Sequence, residues 1–368
     1  MPKAAVCEAV GSPISVQDVD LADPKAGEVR IRTRAAGVCH SDLSVQNGTL
    51  LQPIPAVLGH EGAGVVEQIG DGVQGLEVGD HVVVSWVPQC GECFFCSRSE
   101  PELCEVGFEA LMTGGLLDGT ARFSRGGEPL LQMAAAGLFS EETIVPAIGA
   151  VKIDQEIPFS SAALIGCGVL TGFGAAVNTA DIAQGDNVVV LGCGGVGLNV
   201  IQGANHAGAG RVIAVDMLDS KLDLAQQFGA TDIVNPTEVD ATQRVMELTG
   251  GRGADVAFEV IGLEATIEQT LAMTRRGGQA VLVGVPDMEA TIEVNPSMEF
   301  LVGEKQVRGC WYGSSNTHHD VPMLAALYKD GKLKLDELVS AKITLDEVNE
   351  AFTAIENGAV ARSVITFD

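Results

Sequence analysis

Basic side chains are scarce in this chain. Its 368 residues carry 22 Lys and Arg against 49 Asp and Glu, a formal net charge of −27. A surface this anionic repels phosphate backbones and anionic lipid headgroups. That argues against nucleic acid and membranes as partners, and for solubility. Aromatic residues are also sparse, at 4%, with two Trp and two Tyr. No unbroken run of about 18 apolar residues occurs, so no membrane-spanning helix is expected. Glu8 and Asp18 interrupt any apolar core of a secretory leader, and the expected location is the cytoplasm. There, nine cysteines are expected to be metal ligands and free thiols rather than disulfides. Internal repeats, low-complexity stretches and disordered linkers are missing too.

What is present is glycine, at 45 residues, in a chain that is 46% hydrophobic. At roughly 100–200 residues per domain, this length suggests two domains. Glycine with abundant Val, Ala and Ile suits an α/β protein with tight turns. Residues 1 to 168 read as β-rich. Residues 28–33 alternate apolar and polar, as a half-buried strand does, and 64–69 and 81–84 are further strands. From 169 the rhythm changes. Short apolar strands at 188–191, 211–215, 232–234, 255–260 and 279–283 alternate with helices, among them 196–207 and 220–228. That order predicts a doubly wound parallel sheet over 169–310, with 311–368 rejoining the first domain.

Gly192-Cys193-Gly194-Gly195-Val196-Gly197 fits G-x-G-x-x-G, follows a strand and opens a helix, and Asp216 ends the next strand. Gly192 permits the tight turn, Gly194 lets a pyrophosphate approach the backbone, and Gly197 lets helix and strand pack closely. Asp216 can accept hydrogen bonds from an adenosine ribose and repels a 2′-phosphate. The expected coenzyme is therefore NAD.

Cys90-x2-Cys93-x2-Cys96-x7-Cys104 brings four thiols into one short lobe, roughly residues 89–105. Such spacing wraps a tetrahedral zinc, and with no acid–base group required nearby the site reads as structural. Cys39, His60, Glu61 and Cys167 are dispersed, and spacing alone does not join them.

Gly59-His60-Glu61-x2-Gly64, Leu164-Ile165-Gly166-Cys167-Gly168, Thr171-Gly172-x-Gly174, the four-cysteine lobe and Arg362-Ser363-Val364-Ile365 resemble the zinc-containing medium-chain alcohol dehydrogenases, nearly end to end. The likeness is strongest to the long-form branch of horse-liver-type and thiol-dependent formaldehyde dehydrogenases. The resemblance implies a GroES-like β-rich catalytic domain plus a Rossmann coenzyme domain. It implies two zinc ions, one catalytic on Cys39, His60 and Cys167, with Glu61 behind it and Asp42 orienting His60. It implies that Ser41 takes the alcohol proton. Ser44 stands where the best-known members use a histidine, and His40 where many use an arginine on the pyrophosphate. Arg362 matches a pyrophosphate contact, Lys221 one near the ribose, and Thr171 and Val196 residues beside the nicotinamide. Leu50, Trp86, Met133 and Trp311 match substrate-lining positions, so an apolar or aromatic alcohol or aldehyde is expected.

The resemblance also implies a homodimer or homotetramer, through an edge strand at 305–310. Three alternatives remain open. One is a formaldehyde dehydrogenase using a thiol adduct; Phe108 in place of an arginine argues against glutathione, while Gly309-Cys310-Trp311-Tyr312-Gly313 resembles the mycothiol branch. Another is a nicotinoprotein that keeps its NAD. The third is a structural protein that has retained the fold.

Overall fold

The computed structural model describes residues 1–358 and 361–367. The chain divides into two compact units, Met1–Gly168 with Asn316–Asp368, and Val169–Ser315.

In the first unit the long strand β1 (Glu28–Val38) sends Val29, Ile31 and Thr33 inward and Arg30 and Arg32 outward. One apolar face is what makes this segment a sheet strand. It pairs antiparallel with β2 (Gly62–Ile69), which pairs with β3 (His81–Val84). The strand Arg362–Thr366 returns along the other side of β1, also antiparallel. Val29, Ile31, Val38, Leu43, Leu58, Val66, Val84 and Phe139 close the core between these strands and helix α1 (His40–Asn47). Helix α2 (Glu105–Thr113) follows the four-cysteine lobe.

The second unit is built on β4 (Asn187–Leu191), β5 (Arg211–Val215), β6 (Asp232–Val234), β7 (Ala254–Glu259), β8 (Thr274–Leu282) and β9 (Gln306–Gly309). Their order across the sheet is β6-β5-β4-β7-β8-β9, every pair parallel. This is the predicted doubly wound sheet. Val189, Leu191, Ile213, Val215, Ala254 and Ala257 form its buried layer. Helix α3 (Gly195–Ala207) leaves the glycine-rich turn, α4 (Asp219–Gln227) precedes Gly229, and α5 (Glu264–Met273) follows β7. Strand β8 begins five residues earlier than the apolar pattern at 279–283 suggests. Arg275, Arg276, Gly277 and Gly278 hide its first half in the sequence.

The apolar pattern passes over one long helix. The helical run Phe159–Thr179 has a mean hydropathy of 1.6 and is long and apolar enough to cross a membrane by composition. Ser160, Ser161, Thr171 and Asn178 interrupt it, so a search for unbroken apolar residues passes over it. The most apolar 18-residue window of it is 83% buried inside the protein, as in a core helix.

Candidate metal centres and coenzyme site

The four lobe thiols converge. Cys90 Sγ lies 4.0 Å from Cys96 Sγ, and Cys93 Sγ 4.0 Å from Cys104 Sγ. A tetrahedron with Zn–S bonds of about 2.3 Å has edges of about 3.8 Å, whereas a disulfide needs about 2.05 Å. The backbone N–H groups of Cys93 and Cys90 point at Cys90 Sγ and Cys104 Sγ, at 3.4 Å each. Four sulfurs at this spacing fit zinc.

The second set is buried. One ligand atom each from Cys39, His60, Glu61 and Cys167 lies within 4.8 Å of the others. Local structure explains the convergence. Cys39 caps the N-terminus of α1, and Asp42, three residues on, accepts its backbone N–H at 2.9 Å. The other Asp42 oxygen meets Gly59 N and His60 Nδ1, both at 3.1 Å. This one buried carboxylate therefore aligns two ligand segments, and His60 in turn interacts with the Cys39 side chain. Gly59 has φ +91°, and a Cβ there would lie 2.4 Å from Phe139 N, so only glycine brings His60 in at this angle. At Gly37 a Cβ would fall 2.5 Å from Glu61 Oε1. Cys167 sits on a π-helical turn, Ile165–Val169, a local widening that recurs at functional sites.

Electrostatics agree with a cation. Both Glu61 oxygens are buried and without a hydrogen bond among the described residues. Arg362 Nε lies 3.9 Å from Oε1. Burial pushes the Glu61 carboxyl up to about 7 against the pull of Arg362. A hydrogen bond with Cys167 holds the Cys39 thiol well below its usual value, with burial opposing. Burial works against charge on His60, but Asp42 and Cys39 outweigh it and raise its pKa. Two sulfurs, an imidazole and a carboxylate with no donor of its own make a set that zinc fits.

Around this set, Ser41 Oγ is 3.8 Å from Cys39 Sγ. Ser44 is buried one turn further along α1, and His40 is exposed. The Trp86 ring stands edge-on to His60, with centroids 6.3 Å apart. Leu50, Trp86 and Met133 join one apolar cluster. Trp311 belongs to the second unit and is 38% exposed.

In that unit Gly192 turns with φ +96°, and a Cβ on Gly197 would lie 1.9 Å from Gly192 O. Gly194 has nothing within 4 Å of a Cβ position, so its face is open to a ligand at the α3 N-terminus. Asp216 accepts from Cys193 N at 2.8 Å and Leu218 N at 3.1 Å, which ties the end of β5 to the glycine loop. Lys221, half-buried on α4, acts electrostatically on Cys193 in that loop. Gly172 packs so closely on α3 that a Cβ there would lie 2.2 Å from Val196 O. These residues fit a dinucleotide.

Known sequence families match both parts: the alcohol dehydrogenase GroES-like domain over residues 25–155 and the zinc-binding dehydrogenase over residues 195–330. The NDMA-dependent alcohol dehydrogenase of Amycolatopsis methanolica is 40% identical over 366 residues, 99% of this chain and 98% of that one. The chain belongs to the zinc-dependent medium-chain alcohol dehydrogenase family. Among solved structures, the alcohol dehydrogenase zinc-binding domain protein of Burkholderia ambifaria is 34% identical with a TM-score of 0.94, covering 100% of this chain and 99% of that one. The benzyl alcohol dehydrogenase of Acinetobacter calcoaceticus is 31% identical, also with a TM-score of 0.94 and the same coverage.

This alcohol dehydrogenase is thus a zinc-type oxidoreductase acting on a small-molecule alcohol with a nicotinamide coenzyme. The reading as a structural protein is set aside by those relatives, and the thiol-adduct reading is not favoured by them. Phe108 is 54% exposed on α2 and offers no cation to a carboxylate. Sequence reasoning missed the role of Gly37 in making room for Glu61, and it missed Glu259, whose charge inside an apolar strand was the only signal.

Proposed function

We propose that the chain oxidises apolar or aromatic alcohols to aldehydes or ketones, and reduces them in reverse, with NAD and two zinc ions. The catalytic ion would sit on Cys39, His60 and Cys167, the structural ion on Cys90, Cys93, Cys96 and Cys104. The observation that carries the reading is the buried convergence of Cys39, His60, Glu61 and Cys167. When bound, zinc supplies Lewis acidity to the alcohol oxygen and NAD supplies the hydride acceptor. Asp42 keeps His60 in one tautomer and Cys39 in place. Glu61 offers a further oxygen, and Arg362 balances its charge from within the first unit. Ser41 takes the hydroxyl proton, and Ser44 passes it on by hydrogen bonds. Trp86, Leu50 and Met133 supply apolar wall within the first unit. Asp216 and Lys221 hold the adenosine ribose, and Thr171 and Val196 flank the nicotinamide.

The test is a panel of alcohols followed by NADH absorbance. Benzyl alcohol and longer aliphatic alcohols should outpace ethanol in kcat/KM. A preference for ethanol would refute the apolar pocket.

A second reading, that the protein keeps its nicotinamide and passes electrons to another acceptor, is favoured by one observation: the 40% identical relative is named for NDMA. NAD that stays with the chain at one per protomer through gel filtration would establish it. Coenzyme-free protein would exclude it.

A further inference from the structure

Glu259 is fully buried at the end of β7, and the reaction above gives it no task. Its backbone oxygen accepts Val283 N at 2.8 Å and Gly284 N at 3.0 Å. Its Oε1 accepts Ile261 N at 2.9 Å, Gly262 N at 2.8 Å and Thr266 Oγ1 at 2.7 Å. One residue therefore clasps the turn after β7 to the turn after β8. The turns interlock at two glycines. A Cβ on Gly262, with φ +90°, would lie 2.5 Å from Val285 O, and one on Gly284 would lie 2.3 Å from Gly262 N and 2.6 Å from Glu259 Oε2. That Oε2 is buried and makes no hydrogen bond among the described residues.

The clasp reaches the glycine-rich loop. Ile261 Cγ1 lies 2.6 Å from where a Cβ on Gly192 would be, and Val260 N donates to Leu191 O at 2.9 Å. A sheet ordered β6-β5-β4-β7-β8-β9 consists of two halves, and a dinucleotide lies across the carboxyl ends of both. Asp216, on β5's side, marks the adenosine half. The other nucleotide then lies over the turns after β7 and β8, the turns that Glu259 joins.

We propose that Glu259 is a positioning residue for the nicotinamide half of the coenzyme. The inference rests on the coenzyme reading above. Glu259 touches no coenzyme atom itself. It fixes the turn that carries Ile261 against Gly192, and so the floor on which that half rests. Loss of the carboxyl frees three donors, all on the turn after β7, and loosens that turn while the backbone bonds to Val283 and Gly284 remain.

The test is titration of the zinc-loaded protein with NADH, by fluorescence, and separately with AMP, by calorimetry, alongside thermal unfolding. Glu259→Ala should weaken NADH by about tenfold or more, as small misplacements do, and leave AMP within about twofold. Glu259→Gln keeps an acceptor for the three donors and should stay within about threefold of the parent for NADH. Unchanged NADH affinity in Glu259→Ala, or equal weakening of NADH and AMP, would overturn the proposal; the latter assigns Glu259 to general stability. Should the alanine variant not fold, Glu259→Asp, which withdraws the carboxyl, is judged by the same two titrations. A parent protein that binds neither ligand removes the coenzyme reading, and this inference with it.

Discussion

One thiol in each proposed zinc site tests what that ion would do. Cys104 belongs to a lobe with no acid–base group among its ligands, whereas Cys167 sits on the π-turn beside Cys39, His60 and Glu61. Metal analysis of Cys104→Ser should therefore show one zinc lost of two, with a lower melting temperature. Cys167→Ser should keep the lobe zinc and the fold, while activity drops at least about 100-fold, since even outer partners of metal ligands are worth 10–100-fold. Zinc absent from the parent under non-chelating conditions would refute both assignments. Asp216 sets the second residue-scale outcome. A 2′-phosphate beside its carboxylate costs at least about 1.4 kcal/mol, a factor of ten, so NAD should be preferred over NADP. Asp216→Gly also removes the hydrogen bonds from Cys193 and Leu218. Affinity for both coenzymes should then fall, and the readout is the ratio. A NAD/NADP ratio that does not narrow would show that Asp216 does not read the ribose. Ser44 sets the third. A serine cannot store a proton near neutrality, and general-base help is worth about 10²–10⁴-fold where proton transfer limits. Alcohol oxidation should be weak near neutral pH and climb in alkali, and Ser44→His should raise the neutral rate with zinc content unchanged. If exposed His40 carries the proton instead, His40→Ala lowers that rate at saturating NAD. A flat profile that neither substitution alters would remove proton transfer as the limit.

At the scale of elements, the site depends on how turns let strands and helices approach. Gly59 holds a left-handed φ and abuts Phe139 N, just ahead of His60. Gly59→Ala adds about 1–2 kcal/mol of backbone strain on top of that clash, so His60 must shift away from Asp42. Metal analysis should show catalytic zinc lost while the lobe zinc stays, and an intact second zinc in this variant would refute the account. This scale also shows what the sequence could and could not convey. The parallel sheet was legible because buried strands such as Val188-Val189-Val190-Leu191 are apolar runs bounded by glycine, and the glycine loop because each glycine answers one steric demand. The lobe was legible because its four ligands are close in sequence. The dispersed centre was not, because Cys39, His60 and Cys167 meet only once β1, β2 and the π-turn are folded; resemblance, not spacing, joined them. Glu259 was invisible for the same reason, since its partners lie on two turns. The helix Phe159–Thr179 escaped because its small and hydroxyl residues break the apolar pattern that packing completes.

At the scale of the whole molecule, two properties pull against each other. A net charge of −27 drives copies apart. Yet β9 is an edge strand paired only with β8 among the described residues. Beside it Met298, Leu301, Val302 and Val307 expose apolar surface, Leu301 at 76%. An open edge flanked by such residues invites pairing with a second copy, and a soluble protein must cover it. The charge is screened within about 8 Å at physiological salt, while burial of apolar side chains is not, so association should win there. Light scattering should then report a multiple of the 38.1 kDa chain mass, and lowering the salt should loosen the assembly rather than tighten it. Val307→Lys places a charge on the edge and should shift the protein towards monomer, with zinc content unchanged, because Val307 lies far along the chain from every proposed ligand. If the parent scatters as a monomer at every concentration, β9 is not an interface. If it is an oligomer that Val307→Lys leaves intact, the copies meet through another face.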